Sequence, residues 1–276
     1  MANSIFELIH GTPIHSFKMI SIMKYWLSRQ IKIYYSPDTF IFNNFAPVYT
    51  SNLLPMIYMA DTANLEELRE LYTFFPLEGV TTNPTILSHS GHKLTEAIQG
   101  IQLLVGAGMV HVQMISREAE DMVREAKKYR SFFDFGDNFY AKIPVTVNGF
   151  RAMRILKDAG INVTATAIFT QQQAFVAMKA GADFVAPYVS RLDNISSHGI
   201  EVVSDIVENI THYGLKGKVL AASFKTVDQI YRVSMVGAHS ATINSELLHQ
   251  LIKHPMTDIG VKQFEVDAEG LYDIEF

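Results

Sequence analysis

The sequence predicts a (β/α)8 TIM barrel over residues 56–276, because short apolar runs and amphipathic segments alternate eight times in this range. Gly160, Gly181 and Gly237 each follow a helical pattern and precede an apolar run, which is the usual place of glycine at a helix C-terminus. A doubly wound open sheet is the alternative fold. It is less favoured because no G-x-G-x-x-G sequence follows the first apolar run.

The first half of this range contains four predicted strands, at residues 57–60, within 79–84, at 109–115 and at 140–147. Asn64, with Glu67 three residues later, predicts the N-cap of the first helix, and Pro76 ends that helix. Residues 94–104 have an amphipathic helical pattern. Ser116 is predicted to cap the next helix, whose first turn is acidic and so complements the helix dipole.

The second half contains the other four predicted strands, at residues 161–168, 183–189, 218–223 and 240–244. Asn148 is predicted to cap the helix that precedes them. The pairs Thr170–Gln173 and Thr226–Gln229 match the capping-box pattern of helix N-termini. The remaining helices are predicted at residues 200–211, 245–253 and 258–271.

Residues 1–55 differ from the rest because they have no clean hydrophobic period. Lysine and arginine side chains interrupt their most apolar part, which therefore does not fit a membrane span, and the arrangement of a signal peptide is missing. Three interpretations stay open: an extra N-terminal element, a disordered arm, or a translated upstream stretch before a true start at Met56. We favour the third and assign this region no chemistry.

The composition excludes several classes of function. The formal net charge is −5, which does not favour nucleic acid as a partner. The absence of cysteine excludes disulfides, thiolate catalysis and cysteine metal sites, and it fits a cytoplasmic location. The ten histidines show no metal-ligand spacing, so we do not expect a metal site.

Lys142 lies in the fourth predicted strand, which is apolar and rich in β-branched residues. Burial lowers the pKa of a lysine because desolvation disfavours the ammonium. A partly neutral lysine adds to carbonyl carbon and forms a Schiff base. The alternative is a lysine that extends from the strand end and pairs with a carboxylate.

Polar side chains stand at the C-terminal end of nearly every predicted strand, where barrel enzymes have their chemistry. Each of these residues alone is more often a cap, a turn residue or a surface ion pair; Arg191, for example, could pair with Asp193. Together they form a ring of polar groups around one buried lysine. The packing of a barrel does not require such a ring. The residues are Asp61, Thr81, Asn83, Gln113, Lys142, Thr166, Tyr188, Arg191, Ser223 and Lys225.

Seven strings in this order and spacing resemble the transaldolase family, and more closely its small, fructose-6-phosphate aldolase-like branch. The resemblance extends from Met56 to the C-terminus. The strings are DTAN (61–64), GVTTNPTI (79–86), VQMIS (112–116), AKIPVT (141–146), TATAI (164–168), GADFVAPYVSRLD (181–193) and KVLAASFKT (218–226).

The resemblance implies a Schiff-base mechanism without metal or cofactor. Lys142 would attack the C2 ketone of a sugar phosphate, and the iminium would accept the electrons of the breaking C3–C4 bond. Asp61 and Asn83 would hold substrate hydroxyls and orient that bond. Thr81 would line the same pocket.

The resemblance also implies a phosphate site. Arg191 and Ser223 would bind the terminal phosphate, because a guanidinium suits paired phosphate oxygens. Lys225 would add a nearby charge, although a strand-end salt bridge explains it equally well.

Two positions divide this family. Transaldolases proper carry glutamate at the position of Gln113 and phenylalanine at that of Tyr188, so this chain is similar to the aldolases at both. Gln113 cannot ionise and would position water together with Thr166, which leaves Tyr188 as the proton donor and acceptor. Phe169, where some relatives have tyrosine, would only tune the pocket.

The expected function is therefore that of a class I aldolase, which cleaves D-fructose 6-phosphate to dihydroxyacetone and glyceraldehyde 3-phosphate. The alternative is a transaldolase that transfers the dihydroxyacetone unit to another sugar phosphate. A barrel that only binds or assembles is disfavoured because every polar position of the motifs is filled. The expected partners are the sugar phosphate, dihydroxyacetone and further copies of the chain, since this family often forms rings through its last helix; no membrane is expected.

Overall fold

Eight parallel strands close into a barrel in the computed structural model, which describes residues 56–272. Each strand pairs with the next one along the chain, and the last pairs with the first. The predicted (β/α)8 fold is therefore confirmed, whereas the interpretation of residues 1–55 lies outside the described residues. The strands are β1 Ile57–Asp61, β2 Gly79–Thr81, β3 Met109–Gln113, β4 Phe139–Pro144, β5 Asn162–Ile168, β6 Phe184–Pro187, β7 Lys218–Ala221 and β8 Ser240–Ile243.

Helices connect the strands and surround the barrel. Within the described residues, none of them is long and apolar enough to cross a membrane. They are α1 Leu65–Phe74, α2 Pro84–His89, α3 Leu94–Val105, α4 Ala119–Phe132, α5 Val147–Asp158, α6 Gln171–Lys179, α7 Val189–Asp193, α8 Gly199–Tyr213, α9 Val227–Met235, α10 Ser245–Ile252 and α11 Pro255–Ala268, with a 3-10 turn at Gly136–Asn138.

Most predicted helix ends are confirmed. The side chain of Asn64 accepts hydrogen bonds from the first-turn amides of α1, and Thr170 and Thr226 do the same for α6 and α9. Gly160 and Gly181 have φ angles of +69° and +98°, the left-handed conformation that ends a helix at little cost only for glycine.

The predicted cap of α5 is wrong by two residues. Thr146 is the N-cap, and its hydroxyl accepts a hydrogen bond from the amide of Gly149 at 3.0 Å. Asn148 instead lies inside the helix, where its side-chain amide donates to the carbonyl of Arg117. Either side chain can cap a helix, and the earlier end of β4 at Pro144 decides for Thr146.

Two other predicted boundaries are also wrong. Ser116 lies before α4, whose N-cap is Glu118 without a side-chain cap bond. The sixth strand ends at Pro187, and Val189–Asp193 forms the short helix α7. The backbone amide of Val189 donates to the carbonyl of Ala222, so one parallel bridge at Tyr188 follows β6 before the chain turns into α7.

The barrel interior has two ends of different polarity. At the lower end, where the strands begin, a separate apolar cluster fills the barrel; we call it the plug, and it consists of Met59, Phe184, Ala186 and Leu220. The larger core lies between the outer face of the strands and the helices. The upper end, where the strands finish, therefore has a closed floor beneath it.

Candidate active site

The strand register brings the predicted polar residues of β1 to β4 together at the upper end. Asp61 pairs in register with Thr81, and Gln113 pairs with Lys142. Residues paired in register on neighbouring parallel strands point to the same face of the sheet. The interior of the upper end is therefore polar around Lys142.

Lys142 is buried, with 5% of its surface exposed. Its Nζ donates a hydrogen bond to the backbone carbonyl oxygen of Thr82 at 2.7 Å. Burial lowers the pKa of Lys142 from its ordinary value, and the carboxylate of Asp61 partly opposes this shift. A low pKa makes the neutral, nucleophilic amine available nearer to neutral pH.

Asp61 is held by a short chain of hydroxyl groups. The hydroxyl of Thr81 donates to Asp61 Oδ1 at 2.6 Å, and the Thr242 hydroxyl lies 2.6 Å from that of Thr81. Because Thr81 has one hydroxyl proton, Thr242 must be the donor to Thr81. Burial raises the pKa of Asp61, while the charge of Lys142 and the Thr81 hydrogen bond oppose that rise.

Thr166 and Tyr188 form a second hydrogen-bonded group at the upper end. Their hydroxyl oxygens are 2.9 Å apart. A shift in the register between β5 and β6 precedes this contact, and Ala167 has a φ angle of +59° there. The Phe169 ring packs edge-on against the Tyr188 ring, with centroids 5.7 Å apart.

Arg191 lies on α7 and Ser223 in the loop after β7, two segments that are in contact. The backbone amide of Ser190 donates to the carbonyl of Ser223 at 2.9 Å, which holds the two segments together. Ser223 has a φ angle of +62°. The Arg191 guanidinium carbon lies 4.7 Å from the centroid of the Tyr188 ring.

Neither of these basic residues forms, among the described residues, the ion pair that the sequence interpretation considered. Among the described residues, no ion pair joins Arg191 to Asp193, whose carboxylate instead accepts from the Gly199 amide and the Gln229 side chain. Lys225 is exposed, and no carboxylate partner for it occurs within residues 56–272. Both cations therefore remain available to an anion.

Asn83 has a structural task as well. Its Oδ1 accepts a hydrogen bond from the amide of Ile86 at 3.0 Å and so caps α2. The cap uses only the side-chain oxygen of Asn83, so the side-chain nitrogen can still donate a hydrogen bond. The side-chain oxygen of Asn83 is therefore a helix cap, and the expected contact with substrate concerns its side-chain nitrogen.

A cavity of about 800 Å³ opens beside the barrel mouth, between the loops that follow β3 and β4. Gln113, Ile115 and Val147 are among its lining residues, whereas Lys142 is not. The cavity therefore touches the predicted site from one side only. The polar groups around Lys142, and not this cavity, define the candidate active site.

The residues that the sequence interpretation missed are the buried polar groups that complete this site: Thr82, His111, Thr164 and Thr242. His111 is two residues before Gln113 on β3, so strand alternation places both side chains inside the barrel. This alternation could have identified His111. Among the described residues, no group of three or more histidine, aspartate and glutamate side chains could hold a metal ion.

Comparisons with known proteins place the chain among related sequences. A family model described as Transaldolase/Fructose-6-phosphate aldolase matches residues 58–274. A probable transaldolase of Symbiobacterium thermophilum is 37% identical over 76% of this chain and 95% of its own length. Probable transaldolases of Clostridium tetani and Aquifex aeolicus are 38% and 36% identical, over 78% and 80% of this chain and 99% and 100% of their own lengths.

Proposed function

The chain belongs to the transaldolase/fructose-6-phosphate aldolase family, and on this premise we propose that it is a class I aldolase. It would cleave D-fructose 6-phosphate to dihydroxyacetone and glyceraldehyde 3-phosphate, and it would also catalyse the reverse carboligation. The observation that carries the proposal is Lys142, a buried lysine with a lowered pKa among polar groups at the upper end of the barrel.

The covalent steps use Lys142 and Asp61. The neutral amine of Lys142 adds to the C2 carbonyl, and loss of water gives the iminium. Asp61 accepts the proton of the C4 hydroxyl, the C3–C4 bond breaks, and its electron pair moves into the iminium to form the enamine. Glyceraldehyde 3-phosphate leaves with its new carbonyl at the former C4. The raised pKa of Asp61 suits a carboxylate that takes and returns a proton.

Binding residues orient the sugar for this cleavage. The phosphate is bound by Arg191, Ser223 and Lys225. This contact anchors the half of the substrate that leaves as glyceraldehyde 3-phosphate. The side-chain nitrogen of Asn83 donates to a substrate hydroxyl near the breaking bond. Thr81 acts through its hydrogen bond to Asp61 Oδ1 and fixes that carboxylate.

Tyr188 decides the fate of the enamine. Its hydroxyl, hydrogen-bonded to Thr166, protonates C3 of the enamine, and water that Gln113 and Thr166 position then hydrolyses the iminium. The attacking water returns a proton to the Tyr188 oxygen through the Thr166 hydroxyl, and collapse of the resulting carbinolamine releases dihydroxyacetone and restores the amine of Lys142. Because Gln113 cannot ionise, it supplies no competing acid or base.

Transaldolase activity is the second candidate function. The specific observation in its favour is that the relatives that match this chain over nearly their whole length are named probable transaldolases. This activity would use the same lysine but would keep the enamine until an acceptor aldehyde arrives. The two functions therefore differ in what happens without an acceptor.

The experiment follows from that difference. Purified protein is incubated with D-fructose 6-phosphate alone, and dihydroxyacetone and glyceraldehyde 3-phosphate are quantified over time. The aldolase proposal expects both products in equal amounts over many turnovers. Turnover only after addition of erythrose 4-phosphate would contradict it and would support the transferase. EDTA is expected to leave the rate unchanged.

We also propose that copies of this chain associate through α11. Its apolar side chains are largely exposed, for example Ile259 at 58% and Phe264 at 71%. Light scattering should give a mass above that of one chain, and Phe264→Glu should lower it. A monomer at micromolar concentration would contradict this proposal. A cytoplasmic location stays a prediction from the cysteine-free sequence.

A further inference from the structure

His111 lies inside the barrel between the plug and Lys142, and the proposed mechanism gives it no step. Its side chain is fully buried. Its Nδ1 is 2.8 Å from the Thr164 hydroxyl, and its Nε2 has no hydrogen-bond partner among the described residues. The ring stacks on Tyr140 with centroids 4.5 Å apart and meets the edge of Phe184 at 5.4 Å.

Packing does not explain why this ring carries nitrogen atoms. A phenylalanine at position 111 could make the same aromatic contacts with Tyr140 and Phe184. A buried nitrogen without a partner costs free energy that a phenylalanine would avoid. The explanation must therefore lie in the one polar contact that the His111 side chain makes among the described residues, the hydrogen bond to Thr164.

Thr164 connects His111 to the reactive strand. It pairs in register with Lys142 on one side, as Gln113 does on the other. The position of Lys142 on β4 is thus flanked in register by an amide residue on β3 and a hydroxyl residue on β5, both neutral. The hydroxyl of Thr164 could turn freely if His111 did not hold it.

The imidazole of His111 must be neutral to do this without adding charge. Burial and the charge of Lys142 lower the pKa of His111 well below its ordinary value. A neutral ring offers one donor and one acceptor, whereas a protonated ring would put a second cation beside Lys142. The titratable groups around this layer are Lys142 and Tyr140 of β4, Asp61 of β1, and Asp137 and Asp183, whose charges act on Tyr140.

We propose that His111 is a positioning residue for Lys142: its neutral imidazole fixes the Thr164 hydroxyl beside the reactive lysine, so that the buried iminium has a polar neighbour on each side. The inference rests on the proposed Schiff-base function. It assigns His111 no contact with the substrate, and it acts through Thr164 alone.

The test compares His111→Phe with His111→Asn and the wild type. Each protein is incubated with dihydroxyacetone and borohydride over a range of pH, and the reduced adduct is quantified by intact mass. In His111→Phe the cation of Lys142 loses polar support, so its pKa falls. The low-pH side of the plot of adduct yield against pH, which we call the acid limb, should then move to lower pH by about one unit. The adduct yield itself should fall severalfold. His111→Asn keeps a side-chain amide for Thr164 and should restore both readouts.

Thr164→Val provides the matched second variant. It should shift the acid limb in the same direction as His111→Phe, and the double variant should add little, because the two residues act as one unit. Melting temperatures of all variants are measured alongside. A merely structural role would lower them without moving the acid limb.

An acid limb and adduct yield like those of the wild type in folded His111→Phe would overturn the inference. If His111→Phe does not fold, an unshifted limb in Thr164→Val overturns it equally. A wild type without any adduct at any pH would overturn the proposed function and this inference with it. If the wild type forms the adduct and the variants match its acid limb and adduct yield, the inference alone is overturned and the proposed function stands.

Discussion

The two ends of the barrel interior are built from the same eight strands and differ in almost every property. At the lower end the plug is apolar and closed. At the upper end Lys142 and Thr166 are buried polar groups and Asp61 is half-buried, although burial of ionisable side chains costs free energy. Each end is reached by alternate inward residues of one strand: Met59 and Asp61 on β1 lie two residues apart.

This comparison teaches that the polar end depends on the apolar one. The plug closes the barrel below Lys142, so the lysine is desolvated from that side and its pKa is lowered. Burial of polar and ionisable groups at the upper end costs free energy, and the apolar packing at the lower end offsets that cost. Changes at the upper end should therefore alter chemistry, and changes at the lower end should alter stability.

The largest expected effect is that of Lys142→Met at the upper end. Without the amine no Schiff base forms, so turnover of D-fructose 6-phosphate should fall by more than roughly a thousandfold. Rates of product release measure this effect. Lys179→Met, on the exposed side of α6, is the control and should keep wild-type rates. If Lys142→Met turned over substrate at a rate close to that of the control, the chemistry could not be assigned to Lys142 at the upper end.

Tyr188→Phe should have the second largest effect. The variant loses the hydroxyl that contacts Thr166 and donates the proton to the enamine, so acceptor-free cleavage should fall on the order of a hundredfold. Transfer to erythrose 4-phosphate should fall much less. Tyr213→Phe, on an exposed tyrosine at the end of α8, is the matched control. An equal loss of both activities would assign Tyr188 to binding instead of proton transfer.

Asp61→Asn should change both rate and pH dependence. The carboxylate of Asp61 raises the pKa of Lys142, so its removal should lower that pKa further. The acid limb of adduct trapping should then move to lower pH, while cleavage should fall about tenfold or more because C4 loses its base. A limb that moves to higher pH would show that Asp61 does not act on Lys142 by its charge.

Met59→Ala probes the lower end and should have the smallest effect on chemistry. Met59 is fully buried in the plug, so the free energy of unfolding should fall by about 2–5 kcal/mol. Urea denaturation measures that loss. The rate per folded enzyme and the acid limb should remain near those of the wild type, because Phe184, Ala186 and Leu220 still close the barrel below Lys142. A shifted limb with unchanged stability would mean that the two ends are not separable in this way.

Much of this architecture could be predicted from local patterns, because strand alternation and helix caps are short-range effects. Asn64, Thr170 and Thr226 cap the helices that the sequence predicts, and Lys142 is buried on the fourth strand. The cap at Thr146 was missed because threonine and asparagine both cap helices, and asparagine is the slightly better cap in isolation. Only the end of β4, set by pairing with β5, distinguishes them.

The rest depends on contacts between residues far apart in the chain. The bond between Thr81 and Thr242 joins residues 161 positions apart, and His111 meets Thr164 across 53. No local pattern specifies such contacts, because the barrel register creates them. The assigned roles of Gln113, Asn83, Arg191, Ser223 and Lys225 stay predictions for the same reason.

The most direct test of the central claim is to find where dihydroxyacetone becomes attached. The wild-type protein is reduced with borohydride in the presence of dihydroxyacetone, digested, and mapped by mass spectrometry. A single modified peptide with the added mass on Lys142 is the predicted result. Unmodified protein, or an adduct on another lysine that persists in Lys142→Met, would contradict the Schiff-base account.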